Sequence, residues 1–254
     1  MDVQTRRAIP FEEADTATLR QALSHYANPD NKIGDLVRRG EILRVHKGLY
    51  AIAPEFRQAP LSLEILANRM YGPSYLSLEY ALSWYSMIPE RVTELTSVCL
   101  GRSRSFSTAV GVFSYVGIKR EAYSEGFDRI DLPKGRTFLM ATREKALVDV
   151  IEVRRNVALR SRRDMEKRLT EDLRIDEPEL LGLDLGRVGR FAASYGTAKT
   201  SLLVDFLRSL QRKRQEPCAQ QTARHRARSP QCTAQNARSQ KRSPFAAHRT
   251  RDEA

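Results

Sequence analysis

The chain has 254 residues, enough for one large or two small domains, and carries 43 Lys/Arg against 31 Asp/Glu, a net charge of +12. That charge is uneven: residues 211–254 hold eleven Lys/Arg and three acids, a net +8, while residues 1–210 hold 32 and 28, a net +4, so basicity alone is no argument for nucleic acid. No stretch approaches eighteen apolar residues, no signal-peptide core opens the chain, and Cys99, Cys218 and Cys232 form no disulfide or zinc pattern, which together predict a soluble cytoplasmic protein. In chain order, Asp15 or Thr16 caps a first helix that runs to about Ser24, with Ala17, Leu19, Leu23 and Tyr26 inward. A second helix spans 29–39. Asn28 is a good N-cap for it and Pro29 suits its first position. Ile33, Leu36 and Val37 form its one apolar stripe, and Gly40 sits where a left-handed cap would end it.

Two strand-like runs follow, 42–45 and 49–52, on either side of His46-Lys47-Gly48, where Gly48 supplies the positive φ of a short hairpin turn. A helix with one buried stripe and a basic face, followed by a hairpin, is the layout of a winged helix-turn-helix. From Lys32 to Lys47 there are five Lys/Arg against two acids. The competing reading is a helix-hairpin used only for packing, with Arg38 and Arg39 as solvated surface.

Pro54 and Pro60 bracket a candidate domain boundary. Beyond it, helices are expected over 61–71 and 77–85, the second capped by Ser77, and then strands over 92–100, 104–108, 111–119 and 136–141. Thr142 caps a helix with Ala146, Leu147, Val150 and Ile151 as its stripe. A basic amphipathic segment at 159–173, a loop around Pro178 and a last helix over 200–210 complete the pattern. The expected fold is α+β: a winged helix-turn-helix over 1–56, a mixed α+β domain over 57–212 and a disordered basic tail over 213–254. That tail lacks the large apolar side chains needed to offset its ordering entropy, and reads either as a nucleic-acid-binding arm or as an unselected extension.

Arg102 and Arg104 fall at the turn of an expected hairpin, where they either contact phosphate, bases or a partner, or simply solubilise the tip. Tyr71, Tyr75, Tyr80, Trp84, Tyr85, Phe113 and Tyr115 read as core rather than as a base-stacking platform, because Leu and Ala recur beside them. Glu144, Lys145 and Asp149 have a nuclease-like composition, yet Glu144 in a first helical turn simply favours the helix dipole. The four histidines show no ligand spacing. Gly182, Gly186 and Gly189 lie in a turn-rich stretch without the strand-to-helix context of a phosphate loop. No catalytic residue, metal site or cofactor is expected, and the protein is read as not an enzyme.

The run Asn28-Pro-Asp-Asn-Lys-Ile-Gly-Asp-Leu-Val-Arg-Arg-Gly-Glu-Ile-Leu-Arg-Val-His-Lys-Gly-Leu-Tyr50 resembles the winged helix of AbiEi-family antitoxins. Tyr75-Leu-Ser-Leu-Glu-Tyr-Ala-Leu-Ser83, Ile88-Pro-Glu90, Arg102-Ser-Arg-Ser-Phe106, Phe113-Ser-Tyr115, Ile118-Lys119 and Ala141-Thr-Arg-Glu-Lys-Ala-Leu-Val-Asp149 follow in that family's order, over roughly residues 15–155. Arg143 stands where the family leads one to expect proline, and residues 211–254 match nothing in it. The resemblance implies a bacterial type IV toxin–antitoxin, or abortive-infection, component active in phage defence. Such a protein represses its own promoter through the winged helix, and its second domain counters a nucleotidyltransferase-like toxin without a stable complex being required. On that expectation Asn31, Lys32, Asp35 and Arg38 meet base edges, and Arg39, Arg44, His46 and Lys47 meet phosphate of double-stranded DNA. The alternative is a protein-interaction module that sequesters the toxin directly. No membrane partner is expected, and the oligomeric state is open.

Overall fold

Each of the first three helices starts at a side chain that satisfies an orphan backbone donor. The computed structural model describes residues 1–154 and 158–227, with side chains described as far as Arg214. Asp2 accepts from the Thr5 N–H at 2.7 Å and opens α1 (Val3–Ala8). After β1 (Glu13–Asp15), Asp15 accepts from the Thr18 N–H at 2.7 Å and opens α2 (Thr16–Ala22). The Asn28 side chain accepts from the Asn31 N–H at 3.1 Å, and Pro29 takes the first position of α3 (Pro29–Arg38). Gly40, at φ +69°, then turns the chain into β2 (Ile42–His46), and Gly48, at φ +75°, joins it to β3 (Leu49–Ile52).

The three strands form a sheet in the order β1-β3-β2. Helix–strand–helix–helix–hairpin, with the first strand closing on the hairpin, is a winged helix. Neither α1 nor β1 was expected from the sequence: α1 is six residues with no apolar stripe, and β1 is three residues with a single apolar side chain. Ala17, expected inward, is exposed, whereas Leu19 and Leu23 are fully buried. A small core collects Ile9, Ala14, Leu19, Leu23, Ile33, Leu36, Ile42 and Ile52.

The second part begins after a 3-10 turn at Pro54–Phe56. It comprises α4 (Leu63–Met70), β4 (Ser74–Leu76), α5 (Leu78–Trp84), β5 (Leu95–Cys99), β6 (Arg104–Thr108), β7 (Gly111–Gly117), α6 (Arg120–Tyr123), β8 (Phe127–Leu132) and β9 (Arg136–Ala141). The chain continues through α7 (Arg143–Val153), α8 (Arg162–Lys167) with a π-helical turn at Arg168–Asp172, α9 (Glu177–Leu181), α10 (Leu185–Tyr195) and α11 (Ala198–Ala227). Six strands make one mixed sheet in the order β6-β7-β5-β4-β9-β8. Its β5–β7 and β4–β9 pairs are parallel, and its β4–β5, β6–β7 and β8–β9 pairs are antiparallel.

Several expectations are corrected. Arg102 and Arg104 do not sit at a hairpin tip: β7 lies between β5 and β6, so they occupy the start of the crossing to the sheet edge. The expected loop around Pro178 is α9, with the proline in its first turn, where its missing N–H costs nothing. Gly186 and Gly189 lie inside α10, which Val188, Phe191, Ala192 and Tyr195 bury at helical spacing; only Gly196, at φ +62°, ends it. α11 runs as helix to Ala227, past the expected end at Leu210. The rest of the tail expected to be disordered, 228–254, lies outside the described residues. No helix among the described residues is long and apolar enough to cross a membrane.

Residues 1–210 make up one contact-defined unit. The large core gathers both faces of the six-stranded sheet and also takes in Val45, Leu49 and Ala51 from the winged-helix hairpin. Ile42 and Ile52 of that hairpin belong to the small core instead. The β2–β3 hairpin is therefore a wall common to both cores, as alternate side chains of a strand face opposite ways.

Two adjacent glutamates, Glu12 just before β1 and Glu13 at its start, tie the connection down. Glu12 Oε1 accepts from the Gln58 and Ala59 N–H groups at 3.1 and 3.0 Å and from Arg6 Nη2 at 2.5 Å. Glu13 accepts from the Ser62 N–H and from Nη1 of Arg136. The segment between the two cores is thus held by charge-assisted hydrogen bonds.

Candidate nucleic-acid interface

α3 buries only Ile33 and Leu36, with Val37 half-buried, so most of its circumference faces outward. Asn31 is exposed. Lys32 is half-buried, with its ammonium 4.6 Å from the centroid of the Tyr26 ring, a cation–π contact that holds the side chain near the helix start. Asp35 and Arg38 form an ion pair one turn apart, which neutralises the acid and leaves a highly exposed guanidinium. Arg20 of α2 grips Asp30 with two hydrogen bonds of 2.7 and 3.0 Å, removing a second acid from the free surface of α3. The nearby guanidinium holds the Asp30 carboxyl below its ordinary range. Arg39, at the C-cap, is exposed and unpaired among the described residues.

In the wing, Arg44 projects from β2 opposite Tyr50 and is exposed, and Lys47 is exposed at the turn. His46 is different. It is half-buried, with its ring 5.2 Å from Phe106 of β6 in an edge-on contact, so the second domain fixes its orientation. The Gly48 carbonyl accepts from the Thr16 N–H at 3.0 Å, docking the turn on the start of α2. A Cβ at Gly48 would lie 3.3 Å from Thr16 Oγ1, and the positive φ there disfavours any other residue. The turn is consequently rigid, and its cation has a defined position relative to α3.

Arg102 and Arg104 are both exposed and both border Tyr71. The Tyr71 hydroxyl donates to the Arg102 carbonyl at 3.1 Å, and the Arg104 guanidinium carbon is 5.8 Å from the ring centroid. Tyr71, Phe106 and Tyr115 pack with one another at centroid separations of 5.2–6.1 Å, continuing from the His46 contact. Tyr75, Phe113 and Tyr115 are core as expected, while Trp84 is 44% exposed against the edge of Phe138.

A second polar cluster was not anticipated. Lys145 and Asp149, one turn apart on α7, are fully buried as an ion pair. Tyr195 donates its hydroxyl to Asp149 Oδ1 at 2.7 Å, and Ser77 donates to Oδ2 at 2.7 Å, so Ser77 serves Asp149 rather than capping α5 with its side chain. The Lys145 ammonium lies 4.9 Å from the Tyr195 ring centroid and 5.8 Å from that of Tyr75. Burial, and then the Asp149 charge, push the Tyr75 and Tyr195 hydroxyls far above their ordinary range, so both stay protonated. The sequence did carry a trace of this cluster. Positions 145 and 149 flank the apolar stripe so closely that α7 has no solvent face between Glu144 and Ile151. Glu144 points away from it toward Arg187, 3.8 Å distant, so the three groups do not converge on a common ion position.

Residues 11–53 match the model of a family described as a transcriptional regulator, AbiEi antitoxin. The match runs from just before β1 to just after β3, the span of the winged helix without α1. No curated protein matches the chain.

Proposed function

We propose, with the AbiEi-antitoxin match over the winged helix as premise, that this chain is a DNA-binding antitoxin that represses its own operon. The observation that carries the reading is the exposed cationic set that one rigid module assembles: Arg38 and Arg39 at the end of α3, Arg44 on β2 and Lys47 on a turn locked to α2. α3 enters the major groove with Asn31, Lys32, Asp35 and Arg38 nearest the base edges. Arg39, Arg44 and Lys47 bind phosphate and set register. His46, seated on Phe106, contributes more to the pose of the wing than to charge. Arg104, at the start of the strand that meets His46, and Arg102, just before it, are a second-rank contact for DNA or for the toxin. The domain built on the six-stranded sheet counters a nucleotidyltransferase-like toxin, and the cytoplasm is its compartment.

Fluorescence anisotropy of the full chain tests this, using the duplex upstream of its own gene, a scrambled duplex and a salt series. Tight binding selective for the upstream duplex is the expected result. Weak binding, equal on both duplexes, would sink the repressor reading and favour direct sequestration of a toxin.

A further inference from the structure

The carboxyl end of β7, which runs parallel to β5, opens onto a cleft of about 750 Å³. Crevices at the carboxyl ends of parallel strands are where sheets flanked by helices commonly hold ligands, and this volume suits a small organic molecule. Among the described residues, three cations line it, Lys119, Arg154 and Arg168, against the single carboxylate of Glu152. That carboxylate is already engaged, since the Thr197 hydroxyl donates to it at 2.6 Å. The Lys119 ammonium is held in place by the Tyr195 carbonyl, and Arg154 is paired with Glu79 at 2.6 Å.

Arg168 stands apart from these. Its side chain is only 14% exposed, yet its one partner among the described residues is Asp172, 3.4 Å away and itself 43% exposed. A guanidinium has five N–H donors; the long hydrogen bond to Asp172 engages one of them, and the others are not enclosed but open to the water of the cleft that Arg168 lines. Arg168 also opens the π-helical turn, a local irregularity that recurs at functional sites. Val116 and Val153 give the same cleft apolar walls.

We infer that this cleft binds a nucleoside phosphate. The phosphate takes the cleft-facing donors of Arg168 and the ammonium of Lys119, with Arg154 at the rim, and the nucleoside lies against Val116 and Val153. The planar fork of Arg168 suits two phosphate oxygens at once. The apolar walls and the volume exceed what inorganic phosphate alone would fill. The site shares no residue with the proposed DNA surface.

Isothermal titration of the full chain with GDP, CDP, pyrophosphate and unphosphorylated guanosine tests the inference. Both nucleoside diphosphates should bind, pyrophosphate about tenfold more weakly, and guanosine not measurably. Arg168→Gln should weaken GDP at least about tenfold, and Arg168→Lys should do so less, because it keeps the charge but loses the fork. Ser103→Glu, at an exposed position on the cleft, should weaken GDP at the cost of one exposed hydrogen bond, that from the Gly117 N–H to the Ser103 hydroxyl, which covers the case in which Arg168 variants fail to fold. Operator binding by Arg168→Gln should match the unaltered chain, so failure here and failure of the DNA reading are separable. No heat with either diphosphate, or equal GDP binding by the unaltered chain, Arg168→Gln and Ser103→Glu, would overturn the site.

Discussion

Both carboxylate oxygens of Glu13 lie 3.2 Å from Nη1 of Arg136, so the first strand of the winged helix is bound to the start of β9. Glu13 is 1% exposed, and the same carboxylate also accepts from the Ser62 backbone. Replacing it with alanine strands a nearly buried guanidinium. Glu13→Ala should lower unfolding free energy by about 3 kcal/mol in urea, as expected for breaking a buried pair by removing one partner. A loss below about 1 kcal/mol would be the behaviour of a surface pair and would show that the junction is not held this way.

Contacts of the two kinds on DNA separate by their salt dependence. Lys47→Ala should weaken binding to operator and scrambled duplex alike and reduce the salt slope by about one unit. Asn31→Ala should cost roughly 1–3 kcal/mol on the operator only and leave the slope intact. If Lys47→Ala changed neither affinity nor slope, the hairpin turn would not be at the phosphate backbone.

In the α7 cluster the ion pair itself contributes less than its rupture costs. Lys145→Met leaves Asp149 buried with only two hydroxyl donors, and should destabilise the fold by about 3–5 kcal/mol. Adding Asp149→Leu should recover a large part of that loss, a coupling that a double-mutant cycle reads directly. Two additive losses would mean that the groups act independently.

Asp15 caps α2, and its carboxyl sits below the ordinary value of 3.8, first because of the Thr18 backbone N–H. A depressed folded-state pKa gives stability that is present above the unfolded value and lost as pH falls through the folded one. The stability gap between the unaltered chain and Asp15→Asn should therefore be constant near neutrality and shrink once pH drops below about 3.8. Urea midpoints at pH 7 and pH 3 measure it, and a gap that widens toward acid would assign the effect to another group.

The winged helix was legible because its punctuation is local. Asn28, Pro29, Gly40 and Gly48 each dictate one backbone event, and the residues between them keep a plain period. β6 and β9 matched their expected spans because they alternate between faces. β4 did not announce itself: three residues buried on every side carry no alternation to detect. The α10 stripe was present in Val188, Phe191 and Tyr195, but three glycines nearby outweighed it as turn signals. On the candidate surface, exposure of the arginines could be read from charge alone. The seating of His46 on Phe106 could not, because those two residues meet only through the tertiary fold. The burial of Lys145 was hidden for the same reason: a lysine in a first helical turn reads as solvent-facing until the strand and helix that cover it are known.

The hairpin that serves both cores has a practical corollary for dissection. A fragment cut after residue 56 would keep its small core yet present Val45, Leu49 and Ala51 to water as a bare apolar strip. Such a piece would be sticky, prone to pairing with copies of itself, and a poor proxy for the intact chain. Melting either half should bring down the other, so the winged helix and the domain behind it rise and fall in a single cooperative transition.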